Sequence, residues 1–235
     1  MSRIIAAFNV GSTTLSPDAP EFPPLIDELA TALAAQQIAV SPEQVELLDR
    51  YRRELWTWNE RMNLTRHTTI EKFVGRDVVD SHELGKLLEH GERVLDVGTG
   101  GGVPGVVLAI LRPDLLVSLC DSTQKKARAV ETMVGELGLP IKTFPNRAEE
   151  VLEVTTFDTL VARALAPLVK VLPWFQTRWD AFDQLLMIKG PSWVEERAAA
   201  REAGLMRNLE LRQAASYQAP VTGAESVILS IRPKN

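Results

Sequence analysis

The 235-residue sequence lacks several features that would decide its class at once. It has a single cysteine, Cys120, so it can form no internal disulfide. No apolar run approaches the roughly 18 residues that span a bilayer. Near the start, Asn9 and Gly11 interrupt a short apolar run before a signal-peptide core is complete. These absences predict a cytoplasmic protein with no membrane segment.

Metal ligands and excess positive charge are also scarce. The three histidines, at positions 67, 82 and 90, are widely spaced, and no cysteine or acidic cluster has ligand spacing, so we predict no metal site. The net charge of −5 argues against a nucleic-acid partner, because phosphate binding normally needs a basic surface. However, seven cations interleave with acids between Val40 and Asp80, which fits a solvated helix face or an RNA-binding surface. They are Arg50, Arg52, Arg53, Arg61, Arg66, Lys72 and Arg76.

The chain divides into three segments by pattern. Residues 1–22 contain prolines and small polar residues without periodicity and predict a flexible tail. Residues 23–90 carry apolar positions at helical spacing and predict N-terminal helices. Residues 91–235 alternate short apolar runs with helix-length stretches, which predicts a doubly wound α/β domain forming one globular unit with residues 23–90. Two late strand candidates, near residues 209–213 and 226–231, predict an antiparallel hairpin at the sheet edge.

A glycine-rich turn follows the first strand candidate, and the segment reads Val94-Leu95-Asp96-Val97-Gly98-Thr99-Gly100-Gly101-Gly102-Val103-Pro104-Gly105. Such a turn directs unpaired backbone N–H groups at a ligand and lets the backbone approach it closely. Its Gly-x-Gly-x-x-Gly spacing also matches the dinucleotide fingerprint, so a nicotinamide or flavin oxidoreductase stays open, as does a non-catalytic binding module.

Three details favour S-adenosylmethionine as the ligand. Asp96 precedes the glycines and places a carboxylate where the ammonium of an amino-acid portion could pair with it. Asp121 ends the second strand and could accept hydrogen bonds from both ribose hydroxyls, although dehydrogenases share this acid. The predicted hairpin is typical of methyltransferase sheets. We therefore expect a Rossmann-like class I methyltransferase fold.

Motifs spread over residues 42–232 resemble a known family, the bacterial small-subunit (16S) rRNA guanine-N7 methyltransferases labelled glucose-inhibited division protein B (RsmG-like). The resemblance rests on the glycine turn and on seven further motifs. These are Trp58-Asn59 with Asn63-Leu64-Thr65, Asp80-Ser81, Arg112-Pro113, Leu119-Cys120-Asp121-Ser122, Asn146-Arg147-Ala148-Glu149, Val161-Ala162-Arg163-Ala164 and Ile188-Lys189-Gly190.

The resemblance implies methyl transfer from S-adenosylmethionine to N7 of a guanine in 16S rRNA, on the RNA or the small-subunit particle, with S-adenosylhomocysteine as product. It places Gly98 and Val103 at the cofactor, Ala148 and Glu149 beside its adenine, and Arg163 at the active site and the cofactor. With the residues above, the expected cofactor set is Asp96, Gly98, Gly100, Val103, Asp121, Ala148, Glu149 and Arg163. The chain departs from the family pattern on both sides of Asp80-Ser81. The family usually has Arg-His before this pair, where this chain has Arg76-Asp77, and Leu or Ile after it, where this chain has His82. The resemblance therefore assigns no role to Asp77 or His82.

The residues after the fourth strand agree with a ring-nitrogen acceptor. Guanine N7 has a free lone pair and no proton to lose, so it needs neither a base nor a covalent nucleophile. Arg163 stands where adenine-amine methyltransferases usually carry an Asn or Asp, and it could donate to the guanine O6. Arg147 and Lys189 are candidate RNA contacts at predicted strand ends, and one of Trp174, Trp179 and Trp193 could stack on a base. A methyltransferase acting on a small molecule or protein remains the first alternative.

Overall fold

The structure, a computed structural model, describes residues 22–234. The tail predicted for residues 1–22 lies, apart from Phe22, outside the described residues. A seven-stranded mixed sheet with helices on both faces confirms the predicted doubly wound α/β class. No described helix combines the length and apolar character that a membrane crossing requires.

Two helices begin the described chain, α1 (Ile26–Ala35) and α2 (Pro42–Met62). Ser41 caps the start of α2, as expected for a serine followed by a proline at the first helical position. The Ser41 hydroxyl accepts from the Gln44 backbone amide at 3.3 Å, and the Gln44 side-chain oxygen accepts from the Ser41 backbone amide at 2.9 Å. The Gln44 side-chain amide also donates to the Ile110 carbonyl at 2.8 Å, which ties the start of α2 to a helix of the sheet domain.

A helical stretch with an irregular middle follows: α3 (Ile70–Lys72), a π-helical segment (Phe73–Val78) and α4 (Val79–Gly85). The wider π turn interrupts the regular 3.6-residue repeat and often accompanies functional sites. Here it buries Asp77, while Asp80 and Ser81 are buried in the first turn of α4. No motif in the sequence predicted this segment.

The sheet has the strand order β3-β2-β1-β4-β5-β7-β6. Five parallel strands come first: β1 (Arg93–Val97), β2 (Leu116–Cys120), β3 (Lys142–Phe144), β4 (Thr159–Arg163) and β5 (Gln184–Lys189). The predicted hairpin is confirmed as β6 (Leu209–Gln218) and β7 (Glu225–Pro233), with β7 inserted antiparallel between β5 and β6. β6 is longer than predicted and has an irregularity between Gln213 and Ala215.

Helices cover both faces of the sheet. One face packs against α1, α2, α4, α5 (Gly105–Leu111) and α6 (Gln124–Glu136). The other packs against α7 (Ala148–Val151), α8 (Leu168–Val171) with its 3₁₀ extension (Leu172–Phe175), and α9 (Trp193–Glu202). The strand order reverses between β1 and β4, and ligands of open α/β sheets bind at the carboxyl ends of the strands beside such a switch point.

Candidate active site

The glycine turn joins β1 to α5 at this switch point. The amides of Gly98 and Thr99 both donate to the Cys120 carbonyl, at 2.9 and 3.0 Å, so the turn is fixed to the end of β2. Gly98 and Gly100 have φ of +68° and +57°, a region that side-chain-bearing residues rarely adopt. The turn therefore presents its backbone at the carboxyl edge of the sheet.

Asp96 is completely buried beneath the turn. Its Oδ2 accepts from the Thr99 hydroxyl at 2.6 Å and from the Gly105 amide at 2.9 Å. A Cβ at Gly105 would come within 2.9 Å of the same oxygen and collide with Leu119, so only glycine fits there. Asp96 Oδ1 is buried and has no hydrogen-bond partner among residues 22–234. Burial raises the pKa of this carboxyl to about 6, against the lowering effect of its two hydrogen bonds.

A small cavity of ≈ 80 Å³ opens beside the turn at the ends of β1, β2 and β3. We call it the turn cavity. Asp121 lies in its wall, where its two carboxylate oxygens accept from the amides of Gly100 at 3.0 Å and Thr123 at 2.7 Å. Each oxygen keeps a second lone pair, so Asp121 can accept further hydrogen bonds while it holds the turn. The other lining residues include Gly98, Ser122, Arg147, Ala148, Glu149, Leu165 and Trp174.

The loop after β4 covers one side of the turn cavity. Ala164 has φ of +51°, and the Leu165 side chain lies so close to Gly98 that a Cβ there would be 2.7 Å from its Cδ1. Lys189 is buried beneath this loop and donates from Nζ to the Ala166 carbonyl at 3.0 Å and to Glu196 at 2.8 Å. Lys189 is a predicted RNA contact, but these bonds favour a role in holding the loop.

Arg163, at the end of β4, is held by two buried carboxylates. Its guanidinium contacts Asp77 Oδ1 at 2.6 Å and Asp80 Oδ2 at 3.2 Å, and 16% of its side chain is exposed. Burial alone would lower its pKa, but the two carboxylates outweigh it and raise the pKa above the ordinary arginine value. Arg163 is therefore a charged group of fixed orientation.

The same two carboxylates bind further side chains, and together these form what we call the polar cluster: His67, Arg76, Asp77, Asp80, Arg163 and Tyr217. His67 Nδ1 lies 2.8 Å from Asp77 Oδ1. Asp80 accepts from the Tyr217 hydroxyl at 2.8 Å and pairs with Arg76 at 3.2 Å. The members come from the loop before α3, the π segment, α4, β4 and β6. The one sequence signal for this cluster was Asp77, where the chain departs from the family pattern. The structure shows that this carboxylate is buried in a helix.

The remaining predicted site residues are divided between cavity and core. Arg147 is exposed at the start of α7, in the wall of the turn cavity with Ala148 and Glu149. Val103 is buried in the core beneath the turn and does not line that cavity. Among the tryptophans, Trp174 lines the cavity, whereas Trp179 packs on Phe182 and Trp193 lies under Arg197. No group of three metal-ligating side chains occurs in the described part of the chain.

A family model described as rRNA small subunit methyltransferase G matches residues 44–223 of this chain. The chain belongs to this family. A relative of that name from Rhodopirellula baltica is 45% identical over 190 residues, which cover 81% of this chain and 82% of the relative. Another from Chromobacterium violaceum is 42% identical over 172 residues, covering 73% and 82%. The predicted family is confirmed, and membership in it excludes the oxidoreductase alternative.

Solved structures agree with this family in fold. M. capricolum TrmK in complex with S-adenosyl-homocysteine superimposes with a TM-score of 0.53 at 15% identity, covering 66% of this chain and 68% of TrmK. A point mutant of MtNAS in complex with S-adenosylmethionine gives 0.53 at 16% identity, covering 80% and 73%. These likenesses confirm the predicted class I methyltransferase fold for this family member.

Proposed function

We propose that this methyltransferase moves a methyl group from S-adenosylmethionine to N7 of a guanine in 16S rRNA, on the RNA or the small-subunit particle, in the cytoplasm. Family membership supports the rRNA substrate. The observation that carries the choice of atom is the polar cluster. Arg163 pairs with the buried carboxylates of Asp77 and Asp80, so the end of β4 offers the acceptor base a fixed hydrogen-bond donor in place of the Asn or Asp that adenine-amine methyltransferases carry there.

The residues around the turn fit S-adenosylmethionine. The unpartnered Oδ1 of Asp96 is a buried acceptor that an ammonium group would satisfy, and burial raises the pKa of this carboxyl to about 6. Asp121 has lone pairs left for ribose hydroxyls. We assign the backbone of Gly98 and Gly100 to the amino-acid portion. Ala148 and Glu149 would flank the adenine, and Trp174 also lines the turn cavity.

The chemistry asks little of the protein beyond position. S-adenosylmethionine supplies an electrophilic methyl group, and guanine N7 already has a lone pair to accept it. Arg163 is placed to donate to the guanine O6, which would turn N7 toward the glycine turn. Because the side chains of Arg76, Asp77, Asp80 and Arg163 sum to zero net charge, the cluster does not oppose the positive charge that the guanine ring gains. Positioning of this kind can supply on the order of 7–11 kcal/mol.

Mass spectrometry of nucleosides tests this assignment. Purified protein and S-adenosylmethionine are incubated with small subunits, and separately with naked 16S rRNA, from cells lacking the corresponding gene. We expect a gain of one N7-methylguanosine per 16S molecule in at least one substrate, with S-adenosylhomocysteine formed in equal amount. Methylation at another atom would disprove the acceptor assignment. If neither the small subunits nor the naked 16S rRNA were methylated, the proposed function would be wrong.

A further inference from the structure

A second pocket lies behind the polar cluster, at the carboxyl end of β5. Its volume is ≈ 410 Å³, and it opens between the loop before α3, the π segment and the turn that joins β6 to β7. We call it the cation pocket. Its lining includes the polar residues Arg66, His67, Lys72, Arg76, Glu225 and Ser226.

The pocket concentrates positive charge in a chain whose net charge is −5. Arg66 and Lys72 are exposed, and their side chains make no ion pair or hydrogen bond within residues 22–234. Arg76 is fixed instead, because Asp80 and the Ser226 hydroxyl hold its guanidinium at 3.2 and 3.1 Å. Glu225 is the one carboxylate among the described residues that line this pocket. One oriented cation and two free ones suit an anionic ligand.

The cation pocket shares a wall with the active site. His67 and Arg163 both contact the same oxygen of Asp77, at 2.8 and 2.6 Å. Arg76 and Arg163 likewise share Oδ2 of Asp80, each at 3.2 Å. Asp77 and Asp80 therefore connect the residues that line the pocket to Arg163, the arginine that we assign to the guanine.

We propose that the cation pocket binds the phosphodiester backbone of the RNA strand next to the target guanine. This inference rests on the proposed function, since it assigns a second contact to the same substrate. Arg66 and Lys72 pair with phosphate oxygens, as cations free of other partners do at low cost. His67 donates from Nδ1 to Asp77, which leaves Nε2 of its ring, with 27% of the side chain exposed, for a 2′-hydroxyl.

Two double variants with the same change in charge test the proposal. Arg66→Gln/Lys72→Gln removes the free cations of the pocket. Arg128→Gln/Arg201→Gln removes two exposed cations that have no side-chain partner within residues 22–234 and lie outside both pockets. For each we would measure binding of unmethylated 16S rRNA at several salt concentrations, the KM and kcat of methyl transfer, and S-adenosylmethionine binding by calorimetry.

For the pocket variant we expect KM for RNA to rise about tenfold and the salt slope of binding to fall by about 1.5, as for two lost phosphate contacts. Its kcat and cofactor affinity should stay within about twofold of the wild type, and the control variant should keep the wild-type KM. Equal losses in both variants, or a wild-type slope in the pocket variant, would overturn the proposal. The proposal would also be overturned if the pocket variant bound naked 16S rRNA normally but lost methyl transfer to intact subunits. The pocket would then contact an acidic protein of the subunit and not the RNA backbone.

The outcome separates this inference from the proposed function. If wild-type protein binds 16S rRNA with a salt slope that the pocket variant lowers, but methylates nothing, the phosphate site stands and the function fails. If wild-type protein methylates 16S rRNA and the pocket variant does so with an unchanged KM, the function stands and the pocket assignment fails.

Discussion

The turn cavity and the polar cluster lie on either side of the same switch point but differ in how the chain builds them. The turn cavity takes most of its polar groups from two short segments that follow neighbouring strands, Asp121 and Ser122 after β2 and Asn146, Arg147 and Glu149 after β3. The polar cluster takes its six side chains from five separate parts of the chain, between His67 and Tyr217. A local pattern can therefore predict the first, whereas only folding assembles the second.

The two regions also treat buried charge differently. Asp96 is buried beneath the glycine turn with neutral hydrogen-bond donors, and burial raises its pKa to about 6. Asp77 and Asp80 are buried as deeply but pair with Arg163, and Arg76 adds a second cation on Asp80. The cluster is thus neutral by itself, while the Asp96 carboxylate lacks a cation that a ligand could supply.

The largest effect is expected for Arg163→Ala. Methyl transfer should fall by at least about 100-fold, as when one oriented donor is removed from an active site. The free energy of unfolding should also fall by about 3 kcal/mol, because the change leaves buried carboxylates short of a counter-cation. Transfer assays at saturating cofactor and chemical denaturation measure the two losses.

The double variant Asp77→Asn/Arg163→Ala separates these losses. It removes one buried charge of each sign, so stability should recover part of the way while transfer stays low. If transfer recovered together with stability, Arg163 would have only a structural role and the contrast between the two regions would disappear.

A smaller effect is expected for Asp96→Asn, which keeps an acceptor for Gly105 but removes the charge. The affinity for S-adenosylmethionine should fall about 10- to 100-fold, as for loss of a hydrogen bond between charged groups, and calorimetry measures it. An unchanged affinity would show that Asp96 only braces the turn.

The same variant has a distinct pH signature without cofactor. Between about pH 4 and pH 6, folded wild-type protein holds a proton on Asp96 that the unfolded chain has released. Its stability should therefore decrease as the pH rises through this window, by up to about 3 kcal/mol for a shift of this size. Asp96→Asn should lose this dependence, and it should be no less stable than wild type at pH 7. Thermal unfolding across the window gives the comparison.

The smallest effect is expected for Gly100→Ala, with Gly91→Ala as its matched control. Both glycines have positive φ, +57° and +79°, and a Cβ at either meets no atom closer than 4.0 Å. Each change should lower the free energy of unfolding by about 1 kcal/mol through backbone strain. Only Gly100→Ala should weaken S-adenosylmethionine binding, because Gly91 lies before β1, away from the turn. Equal binding in both variants would remove Gly100 from the cofactor site.

Prediction from sequence was accurate where local pattern carries the information. Apolar runs and turn residues predicted the alternating strands and helices and the edge hairpin, although β6 continues to Gln218, well past the predicted end at position 213. Spacing or family resemblance pointed to Gly98, Asp121, Ala148 and Glu149, which the structure places around one cavity, while their role in cofactor binding stays a prediction. Lys189 shows the limit: its position at a strand end suggested a surface contact, and packing buried it against Glu196.

The sequence by itself determined the fold and family, because alternating strand and helix patterns and the glycine turn are local properties of the chain. Tertiary structure alone decided the surroundings of Arg163 and the closing of one pocket around Arg66, Lys72 and Arg76 by the distant turn between β6 and β7. The physical reason is that a carboxylate's partners are set by distance in space. Asp80 meets Arg163 and Tyr217 across separations of 83 and 137 residues, which no local pattern encodes.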